Sequence, residues 1–128
     1  MTFFRADNDD CPQVVEALNA RLEGTFPRGP TVNYAAVTLE EAQLAVGCGE
    51  PTVECWNALA EPIPTTALMV AEVNREGQKG IRIALRLYDA LGQKMLRFAE
   101  RAYGTQEEAM DGIPEVVDAF VLPHGGTE

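Results

Sequence analysis

Serine is absent from this sequence, and histidine occurs once, at His124 in the terminal HGGTE segment. Nucleophilic hydrolysis through Ser or Cys needs a nucleophile and a base within hydrogen-bond reach of each other, so a hydrolase triad is excluded. Cysteine occurs three times, at Cys11, Cys48 and Cys55. Zinc needs closely spaced ligand pairs, and Cys11 lies far from the other two while His124 stands alone, so no metal site is expected. The GCG at 47–49 is a lone glycine pair with no following Lys, and it reads as a helix stop rather than a phosphate loop. No cofactor is expected.

Long apolar runs are also missing. Nothing approaches the ~20 residues that span a bilayer, and the start, MTFFRADNDD, has neither the apolar run nor the cleavage site of a signal peptide. Basic residues are scarce: ten Lys and Arg face twenty Asp and Glu, for a net charge of −10. That charge repels phosphate backbones and anionic headgroups, so neither nucleic-acid binding nor direct membrane insertion is expected. The balance is uneven along the chain, because seven of the ten cations fall within residues 73–103.

What is present suffices for a core. The 128 residues, 46% of them apolar, are expected to fold as one domain spanning 1–128. After a short strand at 2–5, Asp10 is expected to cap a helix with Pro12 in its first turn and Val14, Val15, Leu18 and Leu22 on its apolar face. A strand follows at 31–37. Thr38 and Glu41 have the spacing of a capping box, opening a helix that Gly47 can close. Thr52 caps a second short helix that turns Val53, Trp56 and Leu59 inward and stops at Pro62. Residues 66–74, TALMVAEVN, are apolar on both alternating faces, as in a strand covered on both sides. The next strand alternates Ile81, Ile83, Leu85 and Leu87 with Arg82, Ala84, Arg86 and Tyr88.

The turn at 89–92 leads into a further strand, 93–103. Placing Tyr88 opposite Gln93 sets Leu85 against Leu96 and Ile83 against Phe98, which keeps the apolar residues together. Thr105 and Glu108 open a last helix carrying Ala109, Met110, Ile113, Val116, Val117, Phe120 and Val121, which Gly112 and Pro114 are expected to kink. The fold class is α/β: a mixed sheet of about five strands, ending in a three-stranded meander, with helices packed on it.

Three groups of residues could carry chemistry or binding. The carboxylate pairs Asp9 and Asp10, Glu40 and Glu41, and Glu107 and Glu108 each fall at a helix start, where negative charge meets the helix dipole favourably. Capping explains them, and the chain is expected not to be an enzyme. Cys48 and Cys55 flank a corner between two short helices, where the spacing admits a disulfide or two buried free thiols. On the expected register, Arg82, Arg86, Arg97 and Arg101 share one outer face of the hairpin with Tyr88, Met95 and Tyr103 between them. Arg and Tyr are enriched in binding hot spots, so Arg82, Arg86, Tyr88, Arg97 and Arg101 are the candidate partner-binding residues. Against this stands a solvated sheet face, or arginines paired with the chain's own acidic helix.

The segment 38–120, with LEEAQLAVGC, a second Cys, TALMVAEVN and RIALRLYDALGQKMLRFAE, resembles the TolB amino-terminal-like and CsgG-like α/β domains of bacterial cell-envelope proteins. The resemblance implies a noncatalytic, periplasmic protein-interaction module that binds protein partners of an envelope assembly, and a Cys48–Cys55 disulfide. The alternatives are a small-ligand-binding domain, with a pocket of convergent polar groups near Trp56, and a cytoplasmic regulatory or adaptor domain with reduced cysteines.

Overall fold

The computed structural model describes residues 1–29, 32–48, 52–63 and 65–121. Its elements run β1 (Thr2–Phe4), α1 (Pro12–Thr25), β2 (Asn33–Tyr34), α2 (Leu39–Val46), α3 (Val53–Ala60), β3 (Ala67–Glu76), β4 (Gly80–Asp89), β5 (Lys94–Tyr103) and α4 (Gln106–Val121). The strands form one mixed sheet in the order β2-β1-β3-β4-β5. The first three pair in parallel, and β3, β4 and β5 are the antiparallel meander.

Alternation along the strands divides the interior into two cores, one on each face of the sheet. Phe3, Met69, Ala71, Val73, Ile81, Ile83 and Leu85 pack against Val14, Leu18 and Leu22 of α1 and Ile113, Val116, Val117 and Phe120 of α4. Phe4, Leu68, Val70 and Tyr88 pack on the other side against Cys55, Trp56 and Leu59 of α3, with Leu39, Ala42 and Val46 of α2 at the margin. The four helices therefore lie two to a face. β3 is covered on both faces, as its run of apolar residues requires.

Local chemistry sets most element ends. The Thr38 side chain accepts from Glu41 N at 3.1 Å while Glu41 Oε1 accepts from Thr38 N at 2.9 Å, completing the capping box, and Gly47 closes α2 with φ 78°. Thr52 Oγ1 accepts from Cys55 N, and Thr105 Oγ1 accepts from Glu108 N. The start of α1 differs from expectation. Cys11 is its N-cap and no side chain caps it; Asp10 is instead held in an Asx turn, its N–H donating to Asn8 Oδ1, so its carboxylate does not reach the helix. Val53 also departs from expectation. It is exposed rather than packed, because Cys55, Trp56 and Leu59 already direct the face of this two-turn helix inward. α4 runs unbroken from Gln106 to Val121 with Pro114 inside it.

The hairpin register is the main correction. Strand β4 meets β5 through Asp89 opposite Lys94 and Tyr88 opposite Met95, and after a bulge that leaves Leu96 unpaired, Leu87 faces Arg97, Leu85 faces Ala99 and Ile83 faces Arg101. The expectation that matched Leu96 and Phe98 with Leu85 and Ile83 assumed that every apolar residue of β5 turns toward the main core. β5 is an edge strand, and α4 seals that core through Ala99 instead.

Candidate functional site

The register redistributes the five candidate residues. Arg82 and Arg86 lie on the face that carries Tyr88, whereas Arg97 and Arg101 pair with Leu87 and Ile83 on the face covered by α1 and α4. The single cationic surface that sequence alternation suggested is therefore not formed. Residues two apart share a face, and bringing Arg97 beside Arg86 would need the pairing to shift by an odd number of residues.

Each residue has a defined environment. Tyr88 is 1% exposed; its ring sits 6.4 Å from that of Trp56 and its hydroxyl bonds to Asn57 Oδ1, so it belongs to the second core and not to a surface. Arg86 is paired with Glu72 on β3, and its guanidinium lies 5.0 Å from the Phe98 ring centroid. Burial pushes the Arg86 guanidinium below its usual pKa, with the Glu100 charge acting in the opposite direction. Arg82 pairs with Glu76 and, at 3.0 Å, with Glu100. These arginines are thus neutralised by carboxylates of neighbouring strands. Arg97 donates to the carbonyls of Phe120 and Val121 at 3.4 and 2.7 Å, where a cation meets the negative end of α4. Arg101 is exposed and donates to Glu100 O at 2.9 Å.

What the bulge and register bring to the surface is apolar. Met95, Leu96 and Phe98 are 39%, 49% and 48% exposed. Met95 and Phe98 stand opposite Tyr88 and Arg86, on the face where the α2 and α3 helices have already reached their limit at Tyr88. β5 has ten residues and forms one edge of the sheet, with Lys94 and Arg101 exposed along it. A long edge strand with exposed apolar side chains presents unpaired backbone groups to any extended chain, a condition that proteins usually suppress. Leu96 and Phe98 were missed as surface residues because an apolar residue in an alternating strand is ordinarily assigned inward; the positive φ of Gln93, 54°, is where the turn departs from a simple four-residue connection.

Cys48 and Cys55 form a disulfide with Cα atoms 5.5 Å apart, and Cys11 is a buried free cysteine. His124 lies outside the described residues. Among the described residues no group of three His, Cys, Asp or Glu side chains is placed to hold a metal ion, and no helix is long and apolar enough to cross a membrane. A polar cleft of about 210 Å³ lies among Arg5, Asp7, Glu40, Glu72 and Asn74. It is smaller than the ~300 Å³ at which ligand pockets begin, and its Arg5 and Glu72 are already paired with Glu23 and Arg86. It does not adjoin Trp56, where the small-ligand alternative placed its pocket; a larger cavity of about 530 Å³, lined in part by Asn57, Glu61, Thr65, Thr66 and Gln93, opens beside the residue that follows Trp56.

The architecture defines the class: a mixed five-stranded α/β domain with two helices on each face. No protein-family model and no curated protein matches the chain. Among solved structures it is similar to the LpoB C-terminal domain from Salmonella enterica, at 10% identity and TM-score 0.49 over 81% of this chain and 82% of that one. It is also similar to TolB from Acinetobacter baumannii, at 12% identity and TM-score 0.49 over 92% of this chain and 26% of that one. A lipoprotein from Neisseria meningitidis matches at 16% identity and TM-score 0.47, over 94% and 90% of the two chains. TolB is among these structures, and no likeness to a CsgG-like domain is shown.

Proposed function

We propose that the chain is a noncatalytic protein-interaction module of the bacterial cell envelope, acting in the periplasm, and that β5 is its docking edge. The observation that carries this reading is the ten-residue edge strand with Met95, Leu96 and Phe98 half-exposed. Its partner is an extended segment of another protein that adds as a strand beside β5, places apolar side chains on Met95 and Phe98, and carries carboxylates toward Lys94 and Arg101. Main-chain pairing supplies affinity in this mode and alternate side chains supply specificity. Self-pairing of β5 is disfavoured, because it would bring Lys94, Arg97 and Arg101 of two copies together on molecules that each carry −10. The disulfide supports an oxidising compartment, and the resemblance to envelope domains supports the periplasm.

A photo-crosslinking amino acid at Phe98, introduced into the full chain in its native cells, should yield an adduct with a second protein, while the same group at Asp118 on α4 should not. Met95→Lys combined with Phe98→Lys should abolish the adduct formed from a crosslinker at Leu96 while the fold is retained, at a cost of about 1 kcal/mol because the Arg86 guanidinium loses the Phe98 ring. Equal adducts at Phe98 and Asp118, or only a dimer of this chain, would overturn the assignment of β5.

A further inference from the structure

The chain leaves β1 and β2 toward opposite faces of the sheet. From β1 it passes to α1, which packs on the Phe3 face, and from β2 it passes to α2 and α3, which pack on the Phe4 face. The two strands are parallel neighbours, so a crevice opens between their carboxyl ends, and in open α/β sheets such a switch point is where ligands bind. Two hollows meet there. The polar cleft of about 210 Å³ that holds Asp7 and Glu40 shares Arg5, Asp7 and Thr38 with an outer hollow of about 340 Å³, lined also by Ala35, Ala36 and Val37.

The wall that carries Asp7 is fixed on both sides. The Asn19 side chain of α1 accepts from Ala6 N and donates to Ala6 O, each at 2.9 Å, and Asn8 Nδ2 donates to Val73 O at 2.7 Å. Asp7 stands between these anchors, is exposed, and lines both hollows. Of the other charged groups on the inner cleft, Glu72 is paired with Arg86 and Arg5 with Glu23. Among the described residues, Asp7 and Glu40 form no ion pair. The uncompensated charge is therefore negative; Asp9 and Asp10 follow in the same loop, and residues 29–74 contain neither Lys nor Arg. Such a setting favours a cation. Arg5, whose bridge to Glu23 is exposed on both sides and therefore weak, can also turn a donor toward an oxygen of the ligand. No aromatic residue lines either hollow, which leaves a base without a stacking surface.

We infer that this crevice receives a primary ammonium group with a carbonyl oxygen beside it, as at the amino terminus of a peptide. The ammonium donates to Asp7 within the field of Glu40, Arg5 donates to the carbonyl, and the residues that follow lie over Ala36 and Val37. Capture of a chain's amino group is an established mode of peptide recognition. A free amino-acid amide carries the same chemistry, and peptide length separates the two sources.

The probes are alaninamide, trialanine amide and N-acetyl-trialanine amide, titrated into isotope-labelled full chain and followed by amide chemical shifts. Trialanine amide should give saturable shifts centred on Ala6, Asp7, Ala35 to Thr38 and Asn74. Acetylation removes the charge and should weaken binding about tenfold, as should Asp7→Asn, which keeps the shape of the exposed side chain. Asp118→Asn, which removes an anion on α4, should leave the affinity unchanged. Ala36→Leu occupies the outer hollow and should weaken trialanine amide more than alaninamide. Tighter binding of trialanine amide than of alaninamide identifies a chain terminus, and equal affinity identifies a free amino-acid amide. Undiminished binding of the acetylated peptide, parental affinity in Asp7→Asn, or shifts centred on the acidic start of α4 would overturn the proposal. Because the readout maps the bound site, failure here leaves the assignment of β5 untouched.

Discussion

Tyr88 shows how one residue on an outward-reading position can become structural. Its ring completes the core under α3, and its hydroxyl is bonded to Asn57. Burial, then the charge of Asp89, raises the Tyr88 pKa; burial likewise raises Tyr34 and Tyr103, with Glu23 and Glu115 as the next causes. A folded-state pKa above the unfolded value of about 10 means that the neutral phenols favour the native state. Their contribution is complete below the unfolded pKa and is lost as pH rises through the folded values. The midpoint of urea unfolding should therefore hold steady up to about pH 10 and fall above it. Tyr88→Phe should cost about 1 kcal/mol at neutral pH, by leaving Asn57 without its partner, and should shrink the alkaline fall. An alkaline profile identical to that of the parent would show that Tyr88 does not contribute to it.

At the scale of elements, β5 and α4 hold each other in place. Arg97 projects from the strand to the last carbonyls of the helix, and Tyr103 Oη donates to Gly112 O at 3.3 Å. The ring of Tyr103 lies where a side chain at Gly112 would sit, which gives that glycine a packing role inside a helix. Arg97→Glu removes two bonds and places an anion at the negative helix end, so it should destabilise the protein by about 2 kcal/mol and speed amide exchange in the last turn of α4. Arg97→Lys should recover part of the loss by keeping the cation. Unchanged stability in Arg97→Glu would mean that the arginine does not cap α4. The same geometry explains why the arginines were legible as a group in the strand sequences but not as a site: their spacing is evident, whereas the bulge at Leu96 decides which face each one takes.

For the whole molecule, the two cores differ in how they are secured. The larger is closed by α1, α4 and the central strands, and the smaller is bounded by α2 and α3, which the Cys48–Cys55 bond ties together. Closing this short loop contributes about 2.5 kcal/mol in the chain-entropy account. Reduction should lower the stability by that order and should raise hydrogen exchange first in the α2 amides of Ala42 to Val46, while Leu68 to Val73 and Ile81 to Leu85 stay protected. Protein taken from its native cells without reductant, unfolded and alkylated, should take label only at Cys11. Label on all three cysteines would remove the support for an oxidising compartment, and uniform loss of protection on reduction would show that the two cores do not open separately.

The caps at Thr38, Thr52 and Thr105, the doubly buried run of β3 and the alternation of β4 were legible because each depends on residues close together along the chain. Element order and the mixed sheet followed from them. The start of α1 escaped because Asn8 held Asp10 elsewhere, and the hairpin register escaped because an interior-matching rule cannot detect that β5 is an edge. Cysteine spacing admitted a disulfide and two free thiols alike, and only the placement of α2 against α3 separated them. The apolar edge at Met95, Leu96 and Phe98 and the crevice between the ends of β1 and β2 are products of tertiary structure alone: a side chain is exposed or enclosed by what packs beside it, and those neighbours lie far away along the chain.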